Sequence, residues 1–179
     1  MAWTAPMTAV AGNAFTASQF NTYVRDNLLE TAPAKATTAG GYFVATGTNA
    51  IAQRVFAQAT VTTPESTAST TYADLATTGP AVTVTTGAQA LVMINSNIYN
   101  TTADVAAFAS VAVSGATSLS ASSQWCIRVD GDTDTQPWRL GCSQLFTGLT
   151  PGTHTFTMKY KVDANTGFFQ DRHIAVLPL

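Results

Sequence analysis

The densest group of chemistry-bearing side chains is the run VDGDTDTQPW, where Asp130, Asp132 and Asp134 stand at alternate positions. Carboxylates at that spacing can present oxygens to a hard cation such as Ca²⁺. The later glycine and the closing bidentate glutamate of a calcium loop are missing, and Asp, Gly and Thr are equally what a solvated hairpin tip uses. A hairpin turning at Asp134 would set Cys126 opposite Cys142 and Arg128 opposite Leu140. Two thiols so placed can form a cross-strand disulfide in an oxidising medium if their Cα atoms lie within about 7 Å, or remain two small packed thiols.

Other reactive sets are incomplete. His154 and His173 fall in separate strand-like runs with no HExxH or CxxC pattern, so a zinc site lacks its ligands. No GxSxG nucleophile elbow occurs, and Ser114-Gly115 reads as a turn. Glu30 and Glu65 are the only glutamates, and Asp104, Asp163 and Asp171 are scattered, so no carboxylate pair suggests glycoside hydrolysis. The expectation is a protein without catalytic residues, cofactor or firm metal site. Trp125 and Trp138 flank the acidic run and could stack on a sugar, although a strand tryptophan also serves as half-buried core. Trp3 and Pro6 lie in the N-terminal peptide, where an exposed aromatic suits a partner's pocket.

The elements that would carry these residues are mostly strands. The 179 residues suffice for one ordinary core, and the 46% hydrophobic fraction is largely Ala and Val set among Thr and Ser, which favours pleated strands over leucine-rich helices. Only 10% of residues are charged, well under the quarter typical of soluble domains, which fits a surface partly covered by neighbours. Net charge is −2 and the sequence pI about 5.5, with no basic footprint for nucleic acid. No apolar run reaches the roughly 20 residues of a membrane span, and MAWTAPMTAV has neither region of a signal peptide.

The one helical pattern lies in FTASQFNTYVRDNLLE, with Phe20, Tyr23, Val24, Asn27 and Leu28 at helical spacing. Thr16 or Ser18 can cap its start and Pro33 stop it. About four turns are too few to be stable alone, so the Phe20, Tyr23 and Leu28 stripe needs a partner surface. TAPAKATTAGG reads as a linker, and the stretch up to Val61 as a β-rich connector. From Thr70 onward about eight strand-like runs follow, from Tyr72–Ala76 to Phe168–Leu177, without helices between them. This predicts an antiparallel β-sandwich, jelly-roll-like. In THTFTMKYKV alternate residues separate cleanly into two faces, whereas ALVMINSNI and AAFASVAVS are apolar on both and are the candidate oligomer interface.

The opening thirty residues resemble the N-terminal segment of minor tail and fibre-like virion structural proteins of actinobacterial tailed phages. The matching positions are Trp3, Pro6, Gly12, Thr16-Ala17, Asn21 and Arg25-Asp26-Asn27-Leu28. Thr46-Gly47-Thr48 and Asn49-Ala50 are similar to the short β connector of such fibres, and 146–156 and 171–179 to their sandwich modules. The resemblance implies an all-β virion component, commonly trimeric, at a tail tip or as a fibre or decoration. The expected organisation is an anchoring peptide and helix (1–36), a connector (37–62) and a sandwich (63–179). Trp3, Pro6, Phe20, Tyr23 and Leu28 would hold other virion proteins. The expected state is a homotrimer in the virion, assembled in the host cytoplasm, with a host-surface glycan as a further partner. A free-standing carbohydrate or cell-wall binding module is the alternative.

Overall fold

The computed structural model describes residues 3–131 and 136–179. It divides into two compact units, Met1–Val55 and Phe56–Leu179. In the first, an extended segment leads into α1 (Ala17–Phe20), a π-helical stretch (Asn21–Arg25) and α2 (Asp26–Leu29). Thr16 starts the helix with a capping box: its hydroxyl accepts the Gln19 N–H at 3.2 Å, and the Gln19 side-chain oxygen accepts the Thr16 N–H at 2.9 Å. The π stretch widens the turn, so residues four apart across it no longer share one stripe. Pro33 does not end helical structure; it sits in the first turn of a short α3 (Ala32–Lys35), where its missing N–H removes no helical bond. Strands β1 (Tyr42–Gly47) and β2 (Ala50–Arg54) then form a hairpin, with Asn49 in the left-handed region at its turn.

The second unit is an antiparallel β-sandwich. One sheet has the order β5 (Ala81–Thr86), β10 (Gly152–Val162), β7 (Ala106–Gly115), β8 (Ile127–Asp130). The other runs β3 (Ala57–Val61), β11 (Gly167–Pro178), β6 (Gln89–Asn100), β9 (Trp138–Thr147), with β4 (Glu65–Thr67) also on β11. Apart from β7 to β8, every connection between β5 and β11 passes from one sheet to the other. Strand β3, expected in the connector, pairs with β11 inside the sandwich. Tyr72–Ala76 is not a strand: its backbone pairs with β10 at one isolated bridge, Ala73 to Tyr160, Asp74 pairs with Lys159 at 2.6 Å, and Leu75 is buried in the core.

The core lies between the sheets. From β10 come His154, Phe156, Met158, Tyr160 and Val162, all fully buried, with the intervening residues facing outward. β6 adds Val92, Ile94 and Ile98, and β11 adds Phe169, Ile174 and Val176. Each such large apolar side chain stabilises the fold by about 2 kcal/mol.

One of the largest buried side chains is an arginine. Arg172 has 0% of its surface exposed. It reaches this position through a β-bulge: the register with β6 jumps between Gln170 and His173, and Asp171 takes a φ of 48°. The extra residue resets the alternation, so Arg172, Ile174 and Val176 point inward after Phe169 has done so. Its guanidinium lies 2.9 Å from the Glu65 carboxylate, donates to the Thr63 carbonyl at 3.2 Å and stacks over the Tyr160 ring at 5.5 Å. Glu65 also accepts the Thr77 hydroxyl and N–H at 2.6 and 2.9 Å. Burial by itself raises the Glu65 carboxyl, but Thr77 and Arg172 outweigh it and hold it below its ordinary value.

A carboxyl held lower in the folded than in the unfolded chain stabilises above its unfolded pKa, and that contribution is lost as pH falls through the folded value. Glu65→Gln is therefore expected to cost about 3 kcal/mol at neutral pH, because it leaves a buried guanidinium uncompensated. It should also flatten the loss of stability below about pH 4. Urea titrations of wild type and variant across pH, followed by tryptophan fluorescence, measure both effects; equal stability at neutral pH would contradict the assignment.

Candidate functional site

In the first unit the N-terminal segment is held by backbone mimicry. The Asn27 amide accepts the Thr4 N–H at 2.9 Å and donates to the Thr4 carbonyl at 2.9 Å and the Tyr23 carbonyl at 3.1 Å, as a neighbouring strand would. Asn27 is the one buried residue of these helical turns. The Trp3 N–H adds a bond to the Asn49 carbonyl at 3.3 Å. Gln53 of β2 does similar work for the chain after α3: its side-chain oxygen accepts from Thr37 and Thr38, and its NH₂ donates to the Thr38 carbonyl. Lys35 and Glu30 close the helix end with an ion pair at 2.7 Å, and the ammonium hydrogen bond lowers the Glu30 carboxyl.

These polar ties leave the apolar residues outside. Of the expected anchoring residues, Trp3, Pro6 and Phe20 are exposed, Leu28 is 61% exposed and Tyr23 is half-buried. Val10, Phe15 and Leu29 are exposed beside them. The helical stripe marked Asn27 as one more member of an apolar face, whereas its amide is the group that ties the segment down. An Asn among apolar neighbours was the available signal.

In the sandwich, the hairpin expected at Asp134 does not form. β8 pairs with β7 in one sheet and β9 pairs with β6 in the other, so the chain crosses between layers instead of turning back on itself. Ile127 and Val129 bury one apolar face and Phe146 another into the same core from opposite sides, which a two-stranded ribbon could not do. Gly131 begins the crossing; a Cβ there would overlap the Thr102 carbonyl. Cys126 and Cys142 are therefore not a cross-strand pair. Both are half-buried free thiols, and burial, reinforced by the nearby Cys126, pushes the Cys142 thiol up.

Asp130 is exposed and paired with Arg128 at 2.8 Å, while Asp132 and Asp134 lie outside the described residues. Among the described residues no group of three or more His, Cys, Asp or Glu could hold a metal ion. Among the described residues, too, no helix is long and apolar enough to cross a membrane. Trp125 is occupied internally: its indole N–H donates to the Val111 carbonyl at 3.0 Å and its ring meets Phe146 edge-on at 5.3 Å. Trp138 starts β9, opposite Ile98, and is 55% exposed.

The two strands that are apolar on both sides have different fates. The outer face of β7 is covered by its own chain: Ser110 bonds Ser122, and Phe108 lies under Lys161 at 4.1 Å and Arg128 at 5.7 Å. Burial there pushes the neighbouring Tyr72 phenol up to about 12. The outer face of β6 is open. At one end Leu177, Leu91 and Leu145 form a row across three strands, with Leu145 43% exposed.

At the other end of that face, Tyr99 and Phe168 are register partners whose rings stack at 4.9 Å and 7°. Asn97 and Gln170 are the next pair on the same side. With Pro64 and Pro137 these four line a hollow of about 170 Å³. Asn97 donates to the Asp171 carboxylate at 2.9 Å, and Arg139, its partner on β9, bonds Asn95 at 2.7 Å. Sequence reading missed this quartet because its members lie some seventy positions apart.

A scan against protein-family models matches none of them, and a search of curated proteins finds no match.

Asn27→Ala is expected to destabilise the N-terminal tether by about 1 to 3 kcal/mol. Faster amide exchange at Thr4 is the readout, and unchanged protection would show that the amide bonds are not what holds it. For the thiols, Cys126→Ser should leave a Cys142 that reacts with a disulfide reagent at pH 8 more slowly than a free model thiol, since less of it is thiolate.

Proposed function

We propose that this chain is a structural and attachment component of a tailed-phage virion, anchored by its N-terminal unit and presenting the β-sandwich as its working surface. The observation that carries the reading is the uncovered apolar surface of the first unit: Phe20, Leu28 and Leu29 on a helical stretch too short to be stable by itself, and Phe15 just before its cap, are exposed. Surface of that kind marks a binding site for protein. The likeness of Trp3, Pro6, Gly12 and Arg25-Asp26-Asn27-Leu28 to the N-terminal segment of minor tail and fibre-like proteins names the class of partner. In this reading the role is mechanical, with no catalytic residue or cofactor.

Assembly as a homotrimer belongs to the same proposal. A charged fraction of 10% and the row Leu177, Leu91 and Leu145 on an open sheet face both favour contact with further copies.

Two measurements test this. Deleting residues 1–36 should reduce incorporation into purified particles at least tenfold while the far-ultraviolet strand signature persists; normal incorporation would remove the anchor assignment. Light scattering on the full chain should give three times 18.7 kDa, and Leu145→Lys should shift that mass towards the monomer. A monomer in wild type would remove the trimer.

A further inference from the structure

We infer that the hollow lined by Tyr99, Phe168, Asn97 and Gln170 is a binding subsite for one neutral sugar unit of a polysaccharide. It deepens the attachment reading by giving the displayed domain a ligand class, at a place other than the Trp125 and Trp138 positions.

Geometry is the first ground. The four residues form a two-by-two lattice on the outer face: Tyr99 opposite Phe168, and Asn97 opposite Gln170. Side chains two residues apart on one face of a strand lie about 7 Å apart. Paired positions across strands lie about 5 Å apart. An aromatic pair and an amide pair at that spacing match the span of a single sugar ring, one end against apolar surface and the other against hydrogen-bonding groups. The hollow, at about 170 Å³, is smaller than the roughly 300 to 1,000 Å³ of pockets that enclose a cofactor-sized ligand. A ring projecting from a polymer fits that size and shallowness.

Chemistry is the second. The Tyr99 and Phe168 rings stack on each other, so the pair offers its edges and outward faces as apolar surface for the C–H groups of a sugar. The polar groups nearby combine donors and acceptors as sugar hydroxyls do: the amides of Asn97 and Gln170, the Tyr99 hydroxyl and the Asp171 carboxylate. Neither the Tyr99 hydroxyl nor the Gln170 amide bonds another described side chain, so both can turn to a ligand. Arg139 and Asp171 balance in charge on either side of Asn97, which favours a neutral glycan over a phosphate or uronate.

Positioning is the third. Asp171 has a positive φ at the bulge that turns Arg172 inward, and non-glycine residues in that region are held there by their surroundings. The same bulge that buries Arg172 places the Asp171 carboxylate against Asn97, so the rim of the hollow is built into the core.

The test is a glycan array of neutral, sulfated and uronate-containing oligosaccharides probed with the full chain, followed by titration of the hits against variants. Binding to neutral oligosaccharides is expected, weakened at least tenfold by Gln170→Ala and by Tyr99→Ala and unchanged by Trp138→Ala. Gln170 is exposed, so its variant reads the site even if the Tyr99 variant unfolds; thermal unfolding of each variant checks this. The inference is overturned by absence of binding at millimolar sugar, by binding that Gln170→Ala leaves intact, by loss on Trp138→Ala, or by selection for anionic glycans. Array binding needs no particle, so its failure leaves the anchoring result untouched, and failed incorporation leaves the array result standing.

Discussion

The buried guanidinium of Arg172 is the constraint around which the sandwich is arranged. Removing such a charge from water costs several kcal/mol, so it is tolerated only where a carboxylate and further acceptors meet it. Glu65 and the Thr63 carbonyl do so from the β4 region, and the Tyr160 ring lies over it from the opposite sheet. Each partner is itself tied down. Glu65 grips Thr77, and the Tyr160 hydroxyl donates to the Gly79 carbonyl at 2.9 Å, with the raised phenol pKa that burial demands. One charge thereby joins β10, β11, β4 and the 68–80 segment.

The bulge that admits Arg172 also shapes the outer surface. Two residues of β11 stand where β6 supplies one, and Ser96 fills the irregularity by donating to the Asn97 and Gln170 carbonyls. Outward residues before the bulge, Phe168 and Gln170, make the hollow with Tyr99 and Asn97; those after it, Ala175 and Leu177, make the apolar end of the face. Core and surface are thus settled by one backbone irregularity.

The N-terminal unit obeys a different economy. Side-chain amides of Asn27 and Gln53 bond its backbone, while Phe15, Phe20 and Leu28 are left facing solvent. These ties hold the segment's backbone without covering that apolar surface.

What the sequence determined by itself was local. Ala, Val, Thr and Ser composition and the alternation in THTFTMKYKV were enough for an antiparallel sandwich, because a half-buried strand needs a period of two whatever its partner is. Thr16 or Ser18 marked the helix start, because a cap is a local signal, and the structure selects Thr16 through its capping box with Gln19. Strand partnership was decided only in three dimensions. The acidic, turn-like run around Asp134 suggested a hairpin that would set Cys126 opposite Cys142, but burying Ile127, Val129 and Phe146 in one core required β8 and β9 to enter different layers. The ion pair of Arg172 and the stacking of Tyr99 on Phe168 depend on the bulge and the β6–β11 register, which bring together positions distant in the chain. Local periodicity says which side of a strand is apolar; only the competition among all strands for one core decides what lies opposite.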